Sequence, residues 1–116
     1  MSRIHLPAAL GALLFSCLAL AHHGWSEYDQ TKPLTETGVI KEYGYDNPHG
    51  FVKLDIGGKI RLVILAPPSR MENRGLPKAA LTVGKTITVV GYQHRKEAAE
   101  MRAERVTAGD KTVELR

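Results

Sequence analysis

His22 and His23 stand side by side directly after Ala19-Leu20-Ala21, a small-x-small pattern of the kind that signal peptidase cuts. Cleavage after Ala21 would leave an α-amine on His22, and an amine with a pKa of about 8 deprotonates readily enough to bind metal. An N-terminal histidine then chelates through its amine and its ring nitrogen together. A third nitrogen from a distant histidine would complete a planar, T-shaped set, the arrangement called a histidine brace. Amine and imidazole nitrogens in tetragonal geometry suit Cu(II), which also heads the Irving–Williams order.

His49 is the expected distant ligand. It lies in Asp46-Asn47-Pro48-His49-Gly50, where a proline second and a glycine fourth fit a type I turn over residues 47–50. His23 is an alternative to either partner, because a histidine in second position binds Cu(II) through the amine, its own amide nitrogen and its ring. Asp46, Asp29 and Met71 are further candidate groups around such a site. The competing reading makes His22 and His23 a polar tail and His49 a ring that hydrogen-bonds its own turn. His94 adjoins Arg95 and Lys96, whose charges oppose a metal ion, and is expected at the surface outside the metal chemistry. Trp25 and Tyr28 are read as docking residues that pin the N-terminal segment to the domain, as a brace requires.

The chemistry depends on export. Met1-Ser2-Arg3 carries one positive charge and residues 6–18 are almost wholly apolar, so residues 1–21 read as a secretory signal peptide. The apolar run falls short of the roughly 20 residues that cross a bilayer, and no second run follows. The mature chain is therefore expected in the periplasm or secreted, without a membrane span. An alternative takes Leu14-Phe15-Ser16-Cys17 as a lipoprotein box with lipid on Cys17, which Phe15 fits poorly. Cys17 is the only cysteine, so either route leaves no disulfide and no thiolate metal site.

Residues 22–116 suffice for one domain with a modest core and little room for a deep enclosed active site. The sequence carries 16 Lys and Arg against 12 Asp and Glu, a net +4, and the charges are spread along it. A nucleic-acid groove would cluster them with interleaved aromatics, so no nucleic-acid partner is expected. No paired carboxylates at a suitable spacing, no Ser-His-Asp set and no glycine-rich phosphate loop is evident in the sequence. Gly57-Gly58 reads as a hairpin, and Gly84-Lys85-Thr86 lacks the upstream glycine of a P-loop.

The elements that must position the histidines are short strands with period-two alternation. Residues 37–43 give the first. Residues 51–56 give the second, with Val52, Leu54 and Ile56 on one face. The third follows over residues 59–65 with Ile60, Leu62 and Ile64 expected to face the core. Pro67-Pro68 stops it, and Ser69 with Glu72 forms an expected capping box for a short helix ending at Gly75. Further strands are expected over 85–92 and 100–107, with a charged loop over 93–99 and a final pairing strand over 112–115. That order is the OB-fold, a small five-stranded Greek-key barrel with its helix between strands three and four, all-β apart from that helix. Another small barrel or a β-sandwich is the alternative. The expected organisation is a signal peptide over 1–21, a docking segment over 22–34 and an OB-like barrel over 35–116.

Ala21-His22-His23, the aromatic and acidic stretch ending near Lys32-Pro33, Gly38-Val39-Ile40, Asn47-Pro48-His49, Pro68-Ser69 and Val89-Val90-Gly91-Tyr92 together resemble a family of small exported bacterial proteins of unknown function. The resemblance covers nearly all of residues 21–107, and its specific parts are the two histidine motifs. It implies an exported β-barrel with His22, His23 and His49 in matching places and no activity to carry over. Gly24 departs from the pattern, where a serine is more usual.

Three functions compete. One is a periplasmic protein that binds Cu(II) through His22, His49 and His23 and buffers or delivers copper, with a periplasmic protein as possible recipient. The second is an OB-type module that binds a partner protein, peptide or oligosaccharide on its barrel face without metal. Tyr43, Tyr45, Phe51 and Tyr92 are few for such a face. An enzyme such as a mononuclear copper oxidase is the least favoured. An exposed edge near Thr112 to Leu115 offers a route to dimers by strand addition.

Overall fold

Alternating apolar residues in six short runs form strands: β1 (Leu34–Gly44), β2 (Phe51–Ile56), β3 (Lys59–Ile64), β4 (Thr86–Gln93), β5 (Glu100–Ala108) and β6 (Lys111–Glu114). The computed structural model describes residues 24–116. The signal peptide read at 1–21, Cys17, His22 and His23 lie outside the described residues. Strand neighbours run β3-β2-β1-β4-β5-β6, and a parallel pairing of β3 with β5 closes the first five into a barrel. This is the small OB-like barrel expected from the element order, with one short helix, α1 (Pro68–Asn73), between β3 and β4. Among the described residues no helix is long and apolar enough to cross a membrane.

The β2–β3 hairpin turns on Gly57 and Gly58, whose φ angles of 60° and 92° need glycine. A two-residue loop pairs Ile56 with Lys59, Leu54 with Arg61 and Val52 with Val63. Directly opposed residues share a face. Since Val52 and Leu54 are core residues, the inward phase of β3 is therefore Lys59, Arg61 and Val63, followed by Leu65. The expected inward set Ile60, Leu62 and Ile64 is wrong: Ile60 is 49% exposed, whereas Val63 and Leu65 join the core. Ile64 is buried too, but outside the barrel core.

Two smaller expectations also change. β1 begins at Leu34 rather than residue 37, because Leu34 to Glu36 pair with Gly91 to Val89 of β4 and the ladder extends it. Helix α1 has no capping box: Pro67 is its N-cap, no side chain caps it, and Pro68 occupies the first turn, where its missing N–H is no loss. Gly75 ends the helix at φ 93°.

The barrel interior is filled by Ile40, Val52, Leu54, Val63, Ile87, Val89, Met101 and Val106. Met71 of α1, with Leu76 and Leu81 beyond it, joins the same core. Each such side chain contributes about 1.5–3 kcal/mol by leaving water. Near the β4–β5 bulge the two backbones approach closely at Gly91, where a Cβ would run into the Arg102 carbonyl and the Ala103 Cα.

Candidate functional site

His49 sits in the segment joining β1 to β2, half-buried, between exposed Pro48 and buried Gly50. Gly50 fixes the segment: its N–H donates to Ala66 at 2.8 Å and its carbonyl accepts from Leu65 at 2.9 Å. A Cβ there would come 2.7 Å from Met71 Cε and 3.0 Å from the Gly44 carbonyl, so the loop lies close against the core. The Asn47–Pro48 bond is cis, and residues 47–48 form a bend. The expected type I turn over residues 47–50 is corrected: the Gly50 N–H that would close it on the Asn47 carbonyl goes to Ala66 instead. His49 Nδ1 lies 3.3 Å from the Gly50 carbonyl. A ring that donates from Nδ1 to a backbone carbonyl carries its lone pair on Nε2, the tautomer common among metal-binding histidines.

The segment that leads back toward His22 and His23 is held on the barrel by specific contacts. Trp25 and Glu27 bound a short 3-10 turn. Beyond it, Tyr28 bridges to His94, Asp29 N–H donates to the Gln93 carbonyl at 2.8 Å, and Arg95 N–H donates to the Glu27 carbonyl at 2.9 Å. Trp25 meets Tyr92 edge to face at 6.1 Å, with the Arg102 and Arg116 guanidiniums 4.2 and 4.3 Å from its ring centroid. Tyr28 is fully buried and its hydroxyl donates to Glu100 Oε2 at 2.5 Å. Burial, and then the Glu100 carboxylate, push the Tyr28 pKa well above the usual tyrosine range. Burial lowers the Arg102 pKa, and Arg116 and Arg70 act in the same direction.

His94 is not the surface residue expected from its basic neighbours. It is 9% exposed and stacks edge to face on Tyr28 with centroids 5.0 Å apart. Its Nδ1 accepts the backbone N–H groups of Lys96 and Glu97, both at 3.0 Å, and its Nε2 lies 4.0 Å from Glu27. The ring organises the β4–β5 loop beneath it, while Arg95 and Lys96 are exposed and Arg95 Nε donates to the Ser26 carbonyl at 3.0 Å. A histidine that spends one nitrogen on two amides is structural.

Strand register relates the docked segment to His49. Phe51 pairs with Ile64, Ile64 with Arg102, and Arg102 with Tyr92. Trp25 therefore lies over β4 and β5, about 10 Å, or two strand spacings, from the strand that starts two residues after His49. Of the auxiliary groups, Asp46 is exposed on the His49 loop. Met71 is fully buried in the core, with its Cε packed against Gly50. Asp29 accepts from the N–H and hydroxyl of Thr31, and these bonds lower its pKa. No group of three or more His, Cys, Asp or Glu suited to a metal occurs among the described residues. Sequence reasoning missed Arg102, Arg116 and Glu100 as partners of the docked segment. Alternation does put Arg102 outward between Met101 and Ala103, yet names no partner for it.

Among solved structures, the chain is similar to TiaS in its complex with an isoleucine tRNA and ATP, at 16% identity and a TM-score of 0.49 over 77% of this chain and 20% of that one. Another is the ZRD-deleted mutant of TiaS in complex with agmatine, at 17% identity and a TM-score of 0.49 over 75% of this chain and 22% of that one. The chain thus spans about a fifth of the length of either. No curated protein matches it. The family model of DUF6152, a family of unknown function, matches residues 12–102, and the chain belongs to that family.

Proposed function

We propose that the protein is an exported, periplasmic Cu(II)-binding protein that buffers or delivers copper. Its ligands are the α-amine and ring of His22 together with His49, and His23 is the substitute ligand. The observation that carries the reading is the attachment of the Gly24–Asp29 segment to the barrel, with Trp25 over Arg102. From there residues 22–24 span up to about 10 Å in extended form, comparable to the distance across two strands toward the His49 loop. Further support is the His49 ring beside the Gly50 carbonyl, which favours a lone pair on Nε2. When bound, Cu(II) would be held by nitrogen donors suited to a tetragonal site. The chain's own part is to hold His49 on a loop fixed to the core and to tether the N-terminal segment near it.

The test combines the intact mass of the exported protein with a Cu(II) titration followed by electron paramagnetic resonance. A chain starting at His22, one equivalent of copper and a tetragonal signal from about three nitrogens are expected. A lipidated or shifted N-terminus, or the absence of stoichiometric copper, would overturn the reading.

A further inference from the structure

Between the start of β3 and the loop that precedes β5 lies a cleft of about 440 Å³. No histidine is in its walls, so it is separate from the proposed metal chemistry. Its origin is topological. β3 and β5 pair only from Leu62 and Glu100 to Ile64 and Arg102. The bond from Leu62 N–H to the Ala99 carbonyl, at 2.8 Å, marks the closed end. Ahead of it, Lys59 to Arg61 diverge from Ala98 and Ala99, and the gap opens toward Ile56 and Glu36.

The walls are of two kinds. Ile56, Ile60 and Ala98 are apolar, and Ile60 is 49% exposed at the tip of a hairpin that could carry a polar residue there. Arg61 and Lys59 supply two cations and Glu36 one carboxylate. Arg61 stands opposite Leu54 on the inward face of the sheet, where packing alone would favour an apolar side chain. Its guanidinium is held in place: Nη1 donates to Gln93 Oε1 at 2.7 Å. Gln93 Nε2 in turn lies 3.0–3.2 Å from the carbonyls of His94, Glu97, Ala98 and Glu100. A guanidinium fork held this way matches a carboxylate and gives up little side-chain freedom on binding. The volume falls within the range of roughly 300–1,000 Å³ typical of small-ligand sites.

We propose that this cleft binds a small monocarboxylate with an apolar body. The carboxylate pairs with Arg61 and Lys59, and the body covers Ile56, Ile60 and Ala98. Glu36 repels a second negative charge, so dicarboxylates bind less well.

The experiment is a titration of the metal-free exported chain with hexanoate, followed by amide chemical shifts, with hexan-1-ol and adipate as comparators. Expected are saturable shifts at Ile60, Arg61, Ala98 and Ala99, with hexan-1-ol and adipate each binding about tenfold or more weakly. Arg61→Gln and Lys59→Gln should each weaken hexanoate by about threefold to tenfold, whereas Glu36→Gln should leave hexanoate at least as tight and admit adipate. Shifts that fail to saturate, equal binding of the alcohol, or weaker hexanoate binding in Glu36→Gln would overturn the proposal. Should Arg61→Gln disturb the Gln93 loop, exposed Lys59→Gln decides alone, and unchanged affinity there overturns it. Repeating the titration in His22→Ala keeps this outcome apart from that of the copper reading.

Discussion

The guanidinium of Arg102 lies 4.2 Å from the ring centroid of Trp25, so a charge on β5 holds the aromatic of a segment that precedes the barrel. Arg102 is half-buried, which strengthens a cation–π contact relative to a fully exposed one. A double-mutant cycle with Trp25→Leu and Arg102→Met should give a coupling of about 0.5–2 kcal/mol by chemical denaturation. Additive effects would mean that the pair merely sits together.

The proposed copper site gives the sharpest set of variants. His22→Ala and His49→Ala should each weaken Cu(II) by more than about tenfold, or about 1.4 kcal/mol, with little change in thermal stability. An extra residue ahead of His22 should do similar damage by moving the amine. Equal affinity in the extended chain would leave only a pair of imidazoles. Trp25→Ala, which loosens the tether, should also weaken binding, by a smaller factor.

His94→Ala separates structure from metal chemistry. Removing the ring strands the Lys96 and Glu97 amides and uncovers Tyr28, at an expected cost of about 1–3 kcal/mol in stability. Copper affinity should be unchanged. A variant of unaltered denaturation midpoint would contradict the structural role.

Alkaline pH should unfold the protein through Tyr28. The folded pKa of Tyr28 lies above the ordinary 10.0, so the unfolded chain loses this proton first. Its contribution is complete below pH 10 and disappears as the pH rises through the folded value. Tyr92 is shifted the same way by burial and then by Glu104. Denaturation midpoints measured between pH 8 and 12 should fall less steeply in Tyr28→Phe than in the parent chain. Parallel curves would remove Tyr28 as the cause.

Gly91→Ala should be among the costlier single-methyl changes. The new Cβ would meet the backbone of β5, at the Arg102 carbonyl and the Ala103 Cα, and backbone cannot rotate aside. A loss of about 2 kcal/mol or more is expected, with part of the β4–β5 ladder perturbed in amide exchange. Gly84→Ala offers a contrast, since nothing lies near its Cβ and its cost is confined to a φ of 93°.

The amino-acid sequence alone determined the strands, the Gly57-Gly58 hairpin, the place of the helix and thereby the barrel, because period-two alternation and glycine turns are local properties. Residue types also sufficed to nominate His22, His23 and His49, since amine and imidazole chemistry needs no fold. Tertiary structure decided what local pattern leaves ambiguous. In β3 the apolar phase by sequence is Ile60, Leu62 and Ile64, while the other carries Lys59 and Arg61 before Val63, and only pairing with β2 turned Val63 inward and left Ile60 exposed. The basic neighbours of His94 suggested solvent, yet Tyr28, distant in sequence, covers the ring. Likewise, closure of β3 on β5 set Arg61 and Glu36 about one cleft and brought Trp25 to Arg102 and Arg116. Such meetings depend on strand order and register around the closed barrel, which no window of neighbouring residues encodes.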